Sequence, residues 1–374
     1  MRILYGVVGE GMGHATRSLV VVKRLLEVGH ELRVVVSGPA KEFLDERLRA
    51  YRGLTIERIT GLRFHYSDGR LDVAGTVGVN LRRAATGIRR GLEVYHKIQR
   101  EKFEPQLVIS DFESWSALYA LRHSLPVLSV DNQHVLTRCQ LGGVLRSGRN
   151  RGSWMARAVV RMKVPRAYHY LITSFFFPPV RKPRTTLVPP ILREEILAAQ
   201  REPRAHVLVY LRTMKEASLV AQLKKLACRF YVYGMEAEGT EANVIFRPFS
   251  QHGFIEDLRT ARALIGGGGF TLMSEAVSLR VPMLSIPIEG QFEQELNARY
   301  LEQMGYGVHA LRLNPHVMES FLQSTDDISQ KLERYRREDN SLLFACLDEL
   351  IERCARSEPP VGRLASSAGR HWGD

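Results

Sequence analysis

The sequence has few cysteines and no long hydrophobic run, and both absences narrow the class of protein. Its four cysteines are scattered over 374 residues, with no CxxC pair and no metal-ligand spacing. We therefore expect reduced thiols in a cytoplasmic protein. No apolar run approaches the roughly 20 residues that span a bilayer. No secretory n-region precedes the first apolar run, so we expect neither a membrane span nor a signal peptide.

Acidic side chains are missing from one long segment. Between Asp131 and Glu194 the sequence has no carboxylate but twelve lysines or arginines. Residues 1–193 hold 32 of the 53 basic and 15 of the 40 acidic residues, for a net charge of +17, whereas the remainder carries −4. A field of one sign attracts anions such as a lipid headgroup surface, a polyanionic substrate or nucleic acid. The alternative is a solvated basic face that keeps the protein soluble.

Apolar strands alternate with amphipathic helices along most of the chain, from RILYGVVG at the start to the helix that follows VPMLSIP. This alternation predicts parallel sheets covered by helices on both faces. Five prolines in FPPVRKPRTTLVPPILREEI indicate a domain boundary. We predict an N-terminal Rossmann-like domain over 1–190, a C-terminal one over 191–356 and a disordered polar tail over 357–374.

A glycine-rich turn joins the first predicted strand to the first helix. Gly9, Gly11 and Gly13 have the spacing GxGxG and are followed by His14. The dinucleotide fingerprint needs GxGxxG and an acid at the end of the second strand, which ends here in Ser37, so NAD binding is not expected. Glycines at a helix start still let a ligand approach backbone amides. His14, at the start of this helix, is either a general base or a residue with a structural role only.

A second glycine run, LIGGGGFTLMSE, precedes a helix in the C-terminal half. The backbone amides of Gly268, Gly269 and Phe270 are predicted to face a diphosphate. Glu275, in the first turns of the helix, is predicted to accept hydrogen bonds from ribose hydroxyls. The plain alternative for Glu275 is a helix N-terminal charge.

Polar residues also crowd just past the end of the strand VPMLSIP. Gln291, Glu293, Gln294 and Asn297 lie at the start of the next helix. Ligands of open α/β sheets bind beyond the carboxyl ends of strands, and these amides and carboxylates suit sugar hydroxyls. The alternative is an ordinary amphipathic helix start.

The stretch GGGGFTLMSEAVSLRVPMLSIP, followed by EQELNA, resembles the donor half of GT-B glycosyltransferases. It is similar to the bacterial transferase that adds N-acetylglucosamine to the peptidoglycan lipid intermediate, and to UDP-dependent small-molecule glycosyltransferases. Up to about residue 355, the chain resembles a poorly characterised bacterial and archaeal group of predicted glycosyltransferases. The resemblance implies an α/β, GT-B fold, with two doubly wound Rossmann-like domains facing across a cleft and a hinge near 190–203.

The resemblance implies a nucleotide-sugar donor site in the C-terminal half. Phe254 and Ile255, in HGFIEDL, match a stretch whose backbone reads the nucleobase, and Arg212 stands where these enzymes contact phosphate. Glu293 and Gln294 match a pair that holds the donor sugar. Gly267 replaces a phosphate-binding histidine of the small-molecule transferases. The predicted donor-binding residues are Arg212, Phe254, Ile255, Gly268, Gly269, Phe270, Glu275, Gln291, Glu293 and Gln294.

The amino half resembles the acceptor half of the same enzymes. GEGMGH is similar to the GGTGGH loop of the peptidoglycan enzyme. In the small-molecule transferases a histidine of this loop is the catalytic base, oriented by an aspartate about a hundred residues later, and His14 and Asp111 match in spacing and topology. The alternative for Asp111 is a capping role. DNQH resembles a stretch lining the acceptor cleft, so the predicted acceptor-binding residues are Gly11, Gly13, Asn132, Gln133 and His134.

These implications add up to an inverting, metal-independent transferase that moves a sugar from a nucleotide sugar, UDP-linked by analogy, to an acceptor hydroxyl. No metal-binding DxD stretch is evident, and no cofactor is expected beyond the nucleotide sugar as co-substrate. The acceptor is expected to be anionic or lipid-linked, as in a cell-envelope glycan. Peripheral contact with an anionic membrane at its inner face is expected from the basic amino half. The alternatives are a nucleotide-sugar 2-epimerase of the same architecture and a non-enzymatic polyanion-binding protein, with nucleic acid the least favoured ligand.

Overall fold

The computed structural model divides into two compact units. Unit 1 comprises Met1–His65, Asp72–Ile191 and the chain from Asp339 on, and unit 2 comprises Tyr66–Leu71 and Leu192–Glu338. The residues described are 1–9, 11–61, 63, 65–67, 70–142, 151–211, 214–248 and 250–367.

Up to residue 191 the chain alternates strands and helices. The elements in chain order are β1 (Arg2–Val7), α1 (Met12–Glu27), β2 (Glu31–Ser37), α2 (Ala40–Leu48), β3 (Leu54–Ile59), β4 (His65–Ser67), β5 (Arg70–Asp72), α3 (Val73–Arg100), β6 (Leu107–Asp111), α4 (Ser114–His123), β7 (Val127–Asp131), α5 (Val135–Arg138), α6 (Arg151–Lys163), β8 (His169–Thr173) and β9 (Thr185–Val188). Seven of the strands form one parallel sheet in the order β3-β2-β1-β6-β7-β8-β9, and β4 pairs with β5.

The order of strands in this sheet reverses between β1 and β6. Val7 at the end of β1 is the register partner of Asp111 at the end of β6. Open α/β sheets form ligand sites at such a point, because the loops leaving the two strands run in opposite directions and leave a crevice. The turn before α1 and the carboxylate of Asp111 therefore share one edge of the sheet. The apolar strands are buried on both faces, as a doubly wound sheet requires.

From residue 192 the alternation repeats. The further elements are α7 (Glu194–Ala198), β10 (Val207–Tyr210), α8 (Glu216–Leu223), β11 (Phe230–Tyr233), β12 (Gly239–Glu241), β13 (Val244–Phe246), α9 (Gln251–Thr260), β14 (Ala263–Gly266), α10 (Phe270–Ser278), β15 (Met283–Ser285), α11 (Phe292–Gln303), β16 (Gly307–His309), α12 (Pro315–Gln323), α13 (Thr325–Glu333) and α14 (Ser341–Ala355).

The second sheet has the order β12-β13-β11-β10-β14-β15-β16, and its pairs are parallel except for β12 with β13. Its order reverses between β10 and β14, where Tyr210 is the register partner of Gly266. The glycine run that follows β14 therefore lies at the switch point of the second sheet, as the first glycine turn does in unit 1.

The structure assigns the end of the chain to a different domain from the one predicted from the sequence. The predicted C-terminal domain runs to residue 356, whereas the contacts of the fold assign the chain from Asp339 on to unit 1. The reason is that α14 buries its apolar face, including Leu343 and Leu347, in the core that holds Ile3 of β1. The predicted disorder of 357–374 also differs from the structure as far as residue 367, because Leu364 is 1% exposed in the same core.

Candidate functional site

The turn between β1 and α1 depends on its glycines. A Cβ on Gly9 would lie 1.7 Å from the carbonyl oxygen of Ser37. The Gly9 N–H also donates to the Ser37 hydroxyl at 2.8 Å. Gly11, the N-cap of α1, has φ of 83°, in the left-handed region that favours glycine. This turn places Gly13 and His14 in the first turn of α1, at the carboxyl edge of the first sheet.

His14 and Asp111, which the resemblance paired by spacing and topology, are in contact. The Nδ1 atom of His14 lies 2.8 Å from Oδ1 of Asp111. The Asp111 side chain is 1% exposed and that of His14 13%. An ionised carboxylate only accepts hydrogen bonds, so in the tautomer that this contact favours, the Nδ1–H donates and the Nε2 atom keeps its lone pair. The geometry is that of an imidazole base oriented by a buried carboxylate.

A buried arginine shares this carboxylate. Arg17 donates from Nε to Oδ2 of Asp111 at 2.8 Å and from Nη2 to Oδ1 at 2.5 Å, and the same Nη2 lies 2.7 Å from His14 Nδ1. Ser18 donates to Oδ2 at 2.9 Å. Burial acts to raise the pKa of the Asp111 carboxyl, but the charges and hydrogen bonds of Arg17 and His14 hold it below its ordinary value. Asp111 is therefore ionised at neutral pH.

The turn after β7 joins the same network. Arg17 Nη1 donates to Asn132 Oδ1 at 2.6 Å, and the Gln133 amide nitrogen lies 3.3 Å from His14 Nε2. With the Nδ1 proton assigned to Asp111, the Gln133 amide donates to the Nε2 lone pair. The structure thus brings one predicted acceptor residue, Gln133, onto the candidate base and a second, Asn132, onto the neighbouring Arg17.

His134 has a different environment from the one that the sequence suggests. Its Nδ1 atom contacts Asp131 Oδ2 at 2.7 Å, its backbone N–H donates to Oδ1 at 2.9 Å, and its side chain is 3% exposed. Burial acts to raise the pKa of Asp131, but the contacts from His134 and Ser129 lower it below its ordinary value. His134 thus braces the turn that carries Asn132 and Gln133.

In unit 2, the glycine run is held by the start of α11. A Cβ on Gly268 would lie 2.6 Å from the backbone oxygen of Gln294, so a side chain does not fit there. The Gln294 Oε1 atom accepts hydrogen bonds from the backbone N–H groups of Gly268, at 3.3 Å, and Ile288, at 3.1 Å. Asn297 donates to the Gly268 carbonyl at 3.1 Å. The Gly268 amide, predicted to face a diphosphate, is thus engaged by Gln294.

Glu275 of α10 forms a bidentate ion pair that the sequence did not reveal. Arg193 donates to its two carboxylate oxygens from Nε and Nη2, each at 2.8 Å. The two side chains are 4% and 12% exposed. Burial, the largest influence, raises the pKa of Glu275, and Arg193 opposes that rise only in part. Each carboxylate oxygen still has a second lone pair for a hydroxyl donor.

The two predicted base-reading residues lie inside a helix. Phe254 and Ile255 are in α9, and the Phe254 N–H donates to the Ser250 carbonyl at 2.8 Å. Helical hydrogen bonding thus engages this amide within the protein, and the reading of a nucleobase by this backbone stays a prediction. The Phe254 ring packs edge-on against Tyr210 and Tyr233.

The other predicted donor residues lie at helix starts or outside the described residues. Gln291 is the N-cap of α11 and Glu293 is in its first turn. Gly269 is the N-cap of α10, Phe270 is its first residue, and a Cβ on Gly269 would meet nothing within 4 Å. Arg212 lies outside the described residues.

Two arginines that pair with buried carboxylates were missed by the sequence reasoning. A signal for Arg17 exists, because it follows His14 by three residues and so shares its helix face. Arg193 has no such signal, since 82 residues separate it from Glu275. In the part of the chain that the structure describes, no cluster of three or more His, Cys, Asp or Glu residues could hold a metal ion, and no helix could span a membrane.

The two doubly wound units, each with a glycine-rich loop at its switch point, have the GT-B fold. The chain belongs to glycosyl transferase family 1, whose sequence pattern matches residues 1–325. An uncharacterized glycosyltransferase of Methanosarcina acetivorans is 25% identical over 330 residues, which cover 82% of this chain and 85% of that protein.

Solved structures share the fold at low sequence identity. The glycotransferase of kitacinnamycin is 16% identical, with a TM-score of 0.66 over 94% of this chain and 98% of its own. LpCGTa in complex with UDP is also 16% identical, with a TM-score of 0.61 over 94% of this chain and 99% of its own. At such identities the likeness establishes the fold.

Proposed function

We propose that this chain is an inverting, metal-independent glycosyltransferase that moves a hexosyl group from a UDP-linked sugar to an acceptor hydroxyl. The observation that carries the proposal is the contact of His14 with the buried carboxylate of Asp111 at the switch point of the first sheet. The Nε2 lone pair is the proton acceptor that such a reaction needs. The UDP complex among the structures of similar fold supports the choice of nucleotide.

In the proposed reaction, His14 Nε2 takes the proton of the acceptor hydroxyl. The acceptor oxygen forms a bond to the anomeric carbon while the bond from that carbon to the diphosphate oxygen breaks. Attack from the opposite face inverts the anomeric configuration, and UDP leaves with the electron pair. Ionised Asp111 stabilises the imidazolium that forms. The Gln133 amide, now 3.3 Å from Nε2, gives its place to the acceptor oxygen and orients it.

Unit 2 supplies the donor site in this proposal. The N-terminus of α10, with the Gly269 and Phe270 amides, receives the negative charge that develops on the diphosphate. Glu275 accepts hydrogen bonds from the ribose hydroxyls through its remaining lone pairs, and Arg193 fixes the plane of the carboxylate. Gln294 holds the glycine run in place.

For the acceptor we propose an anionic or lipid-linked glycan of the cell envelope, used at the cytoplasmic side of the membrane. Its support is the net charge of +17 on residues 1–193, which attracts anions. The nucleotide sugar is the co-substrate, and no other cofactor has a role in the reaction.

The donor site is tested by thermal shift with UDP, GDP, dTDP and ADP. A ligand at a hundredfold excess over its dissociation constant stabilises by about 2.7 kcal/mol. We expect UDP to raise the unfolding temperature of the wild type and to lose that effect in Glu275→Ala. Stabilisation of Glu275→Ala equal to that of the wild type would contradict the assignment of Glu275.

The reaction is tested by nucleoside diphosphate release from UDP-sugars with candidate glycan acceptors. We expect His14→Ala to lower kcat by about 10²–10⁴-fold, because the general base is lost. His316→Ala, an exposed histidine of α12, is the matched control. We also expect the activity to persist in EDTA. The coupling constant of the anomeric proton should show that the product has the anomeric configuration opposite to that of the donor. Conversion of the UDP-sugar to an epimer without an acceptor would overturn the proposal in favour of an epimerase.

A further inference from the structure

Helix α3 carries an unusual row of exposed apolar side chains. Val77, Leu81, Ile88 and Leu92 are 53%, 70%, 66% and 52% exposed. At about 100° per residue these four positions fall within about 60° of one another on the helix surface, and at about 1.5 Å per residue they extend over about 22 Å. A soluble helix normally turns such a row toward its own core. Here the row faces outward.

Two neighbouring helices of unit 1 extend this apolar surface. Helix α4 packs beside α3, where Gln99 donates to the Tyr119 hydroxyl at 3.2 Å, and α4 packs in turn against α6. Leu118 and Leu121 of α4 are 60% and 66% exposed, and Trp154 of α6 is 65% exposed.

Most of the exposed large apolar side chains belong to these three neighbouring helices. Among the residues that the structure describes, thirteen large apolar side chains are exposed, and nine of them lie on α3, α4 and α6. The α6 contribution includes Met155 and Met162. A concentration of this kind marks an interaction surface, because single exposed apolar residues are otherwise scattered.

The same three helices are strongly basic. Their sequences contain eleven lysines and arginines and a single acid, Glu93. Arg82 and Arg90 of α3 and Arg161 of α6 are exposed. Long arginine side chains beside apolar ones can hold their charge at the level of anionic headgroups while the apolar groups enter the acyl boundary.

The charges next to α6 are crowded against one another. The pKa of Arg157 is lowered by burial and then by Arg181 and Arg161. The pKa of Lys182 is lowered by burial and then by four arginines, Arg138 among them. Mutual repulsion of this kind is relieved by an external anion.

We propose that the α3–α4–α6 face of unit 1 binds the surface of an anionic phospholipid bilayer. Apolar side chains, a tryptophan and flanking arginines are the combination that lies in a membrane interface, and the charge is complementary to anionic lipid. A second copy of the chain fits less well, because charged residues are depleted at the core of protein interfaces and two such basic faces would repel.

The test is co-sedimentation of the purified chain with phosphatidylcholine vesicles, with and without phosphatidylglycerol. We expect binding that needs phosphatidylglycerol and weakens as salt is raised. The triple variant Arg82→Gln, Arg90→Gln, Arg161→Gln is expected to lower the partition coefficient on the order of 100-fold, at about fivefold for each charge. Leu81→Ser with Ile88→Ser is expected to lower it about tenfold or more.

Matched controls come from exposed positions of unit 2. Leu311, 79% exposed, and Arg204, with a side chain 59% exposed, are replaced by Ser and Gln and are expected to leave vesicle binding unchanged. Trp154 fluorescence, isolated by replacing the two other tryptophans, Trp115 and Trp372, with Phe, provides a further readout. We expect it to shift to the blue with anionic vesicles and to be quenched by brominated lipid.

Three results would overturn the proposal. The first is no binding to anionic vesicles, or binding that is equal with neutral ones. The second is unchanged binding by correctly folded Leu81→Ser, Ile88→Ser protein. The third is light scattering that shows a dimer dispersed by the same two substitutions, which would make this face an interface between copies. Vesicle binding is measured without any sugar substrate, so the result is separate from the fate of the proposed transfer reaction.

Discussion

Replacing Arg193 by glutamine is expected to leave a buried carboxylate in unit 2 without its cation. Glu275 is 3% exposed and receives two hydrogen bonds of 2.8 Å from the guanidinium. Glutamine is shorter and neutral, and it cannot reproduce the bidentate contact.

The size of the expected destabilisation follows from the low exposure of the Arg193–Glu275 pair. Removing one member of a buried ion pair costs about 3–5 kcal/mol, because the remaining charge is desolvated and unpaired. Unit 2 has about 150 residues, and for a domain of that size this loss lowers the unfolding temperature by roughly 6–20 °C. Arg204→Gln is the control, since an exposed substitution stays within about 0.5 kcal/mol.

The stability lost on replacing Arg193 by glutamine is expected to increase as the pH rises. Burial raises the pKa of Glu275 above its ordinary value of 4.5, so its ionisation opposes folding. The contribution of Glu275 to stability is complete below pH 4.5 and is lost as the pH rises through the raised value. Without Arg193 the pKa rises further. The difference in unfolding temperature between Arg193→Gln and the wild type should therefore increase from acidic to neutral pH.

The assay is thermal unfolding of the wild type, Arg193→Gln, Glu275→Gln and the double variant across that pH range. The double variant should be more stable than Arg193→Gln at neutral pH, because no unpaired carboxylate remains. The reasoning fails if Arg193→Gln and Arg204→Gln unfold within about 2 °C of each other at neutral pH, which corresponds to less than about 1 kcal/mol.

Two further predictions concern packing. Gly268→Ala places a Cβ 2.6 Å from the Gln294 backbone oxygen and should cost about 1–3 kcal/mol of folding stability, whereas Gly269→Ala meets open space and should cost almost none. Equal unfolding temperatures of the two variants without ligand would contradict this. Leu364→Ala should destabilise by about 2–5 kcal/mol in urea unfolding, against almost no effect of Leu311→Ala, because Leu364 is 1% and Leu311 79% exposed. No difference between the two would mean that the tail adds nothing to the core.

Much of the fold was predictable from local patterns. Continuous apolar strands and helices of regular period implied doubly wound sheets, and the helix expected after the second glycine run begins at Phe270 in the structure. The last helix was assigned to the C-terminal domain, whereas in the structure it belongs to unit 1. Its apolar face is equally suited to either core, and only the folded chain shows that Leu343 and Leu347 join the core of unit 1.

The candidate site, like the fold, was predictable from the sequence only in part. His14 and Asp111 were paired from their spacing and the resemblance, and the structure places them 2.8 Å apart, while their catalytic roles stay predictions. The resemblance placed Phe254 at the base through its backbone, but the helix uses that amide internally. Spacing alone does not reveal whether a backbone group is already engaged.

The sequence by itself determined the layered α/β architecture, the glycine turns at two helix starts and the candidate base. These features depend on neighbouring residues and on short-range periodicity. Only the tertiary structure decided which cation shares each carboxylate, Arg17 with Asp111 and Arg193 with Glu275. Those contacts join residues 94 and 82 positions apart. The chain brings such residues together only through the order of strands in each sheet and the packing of helices upon it.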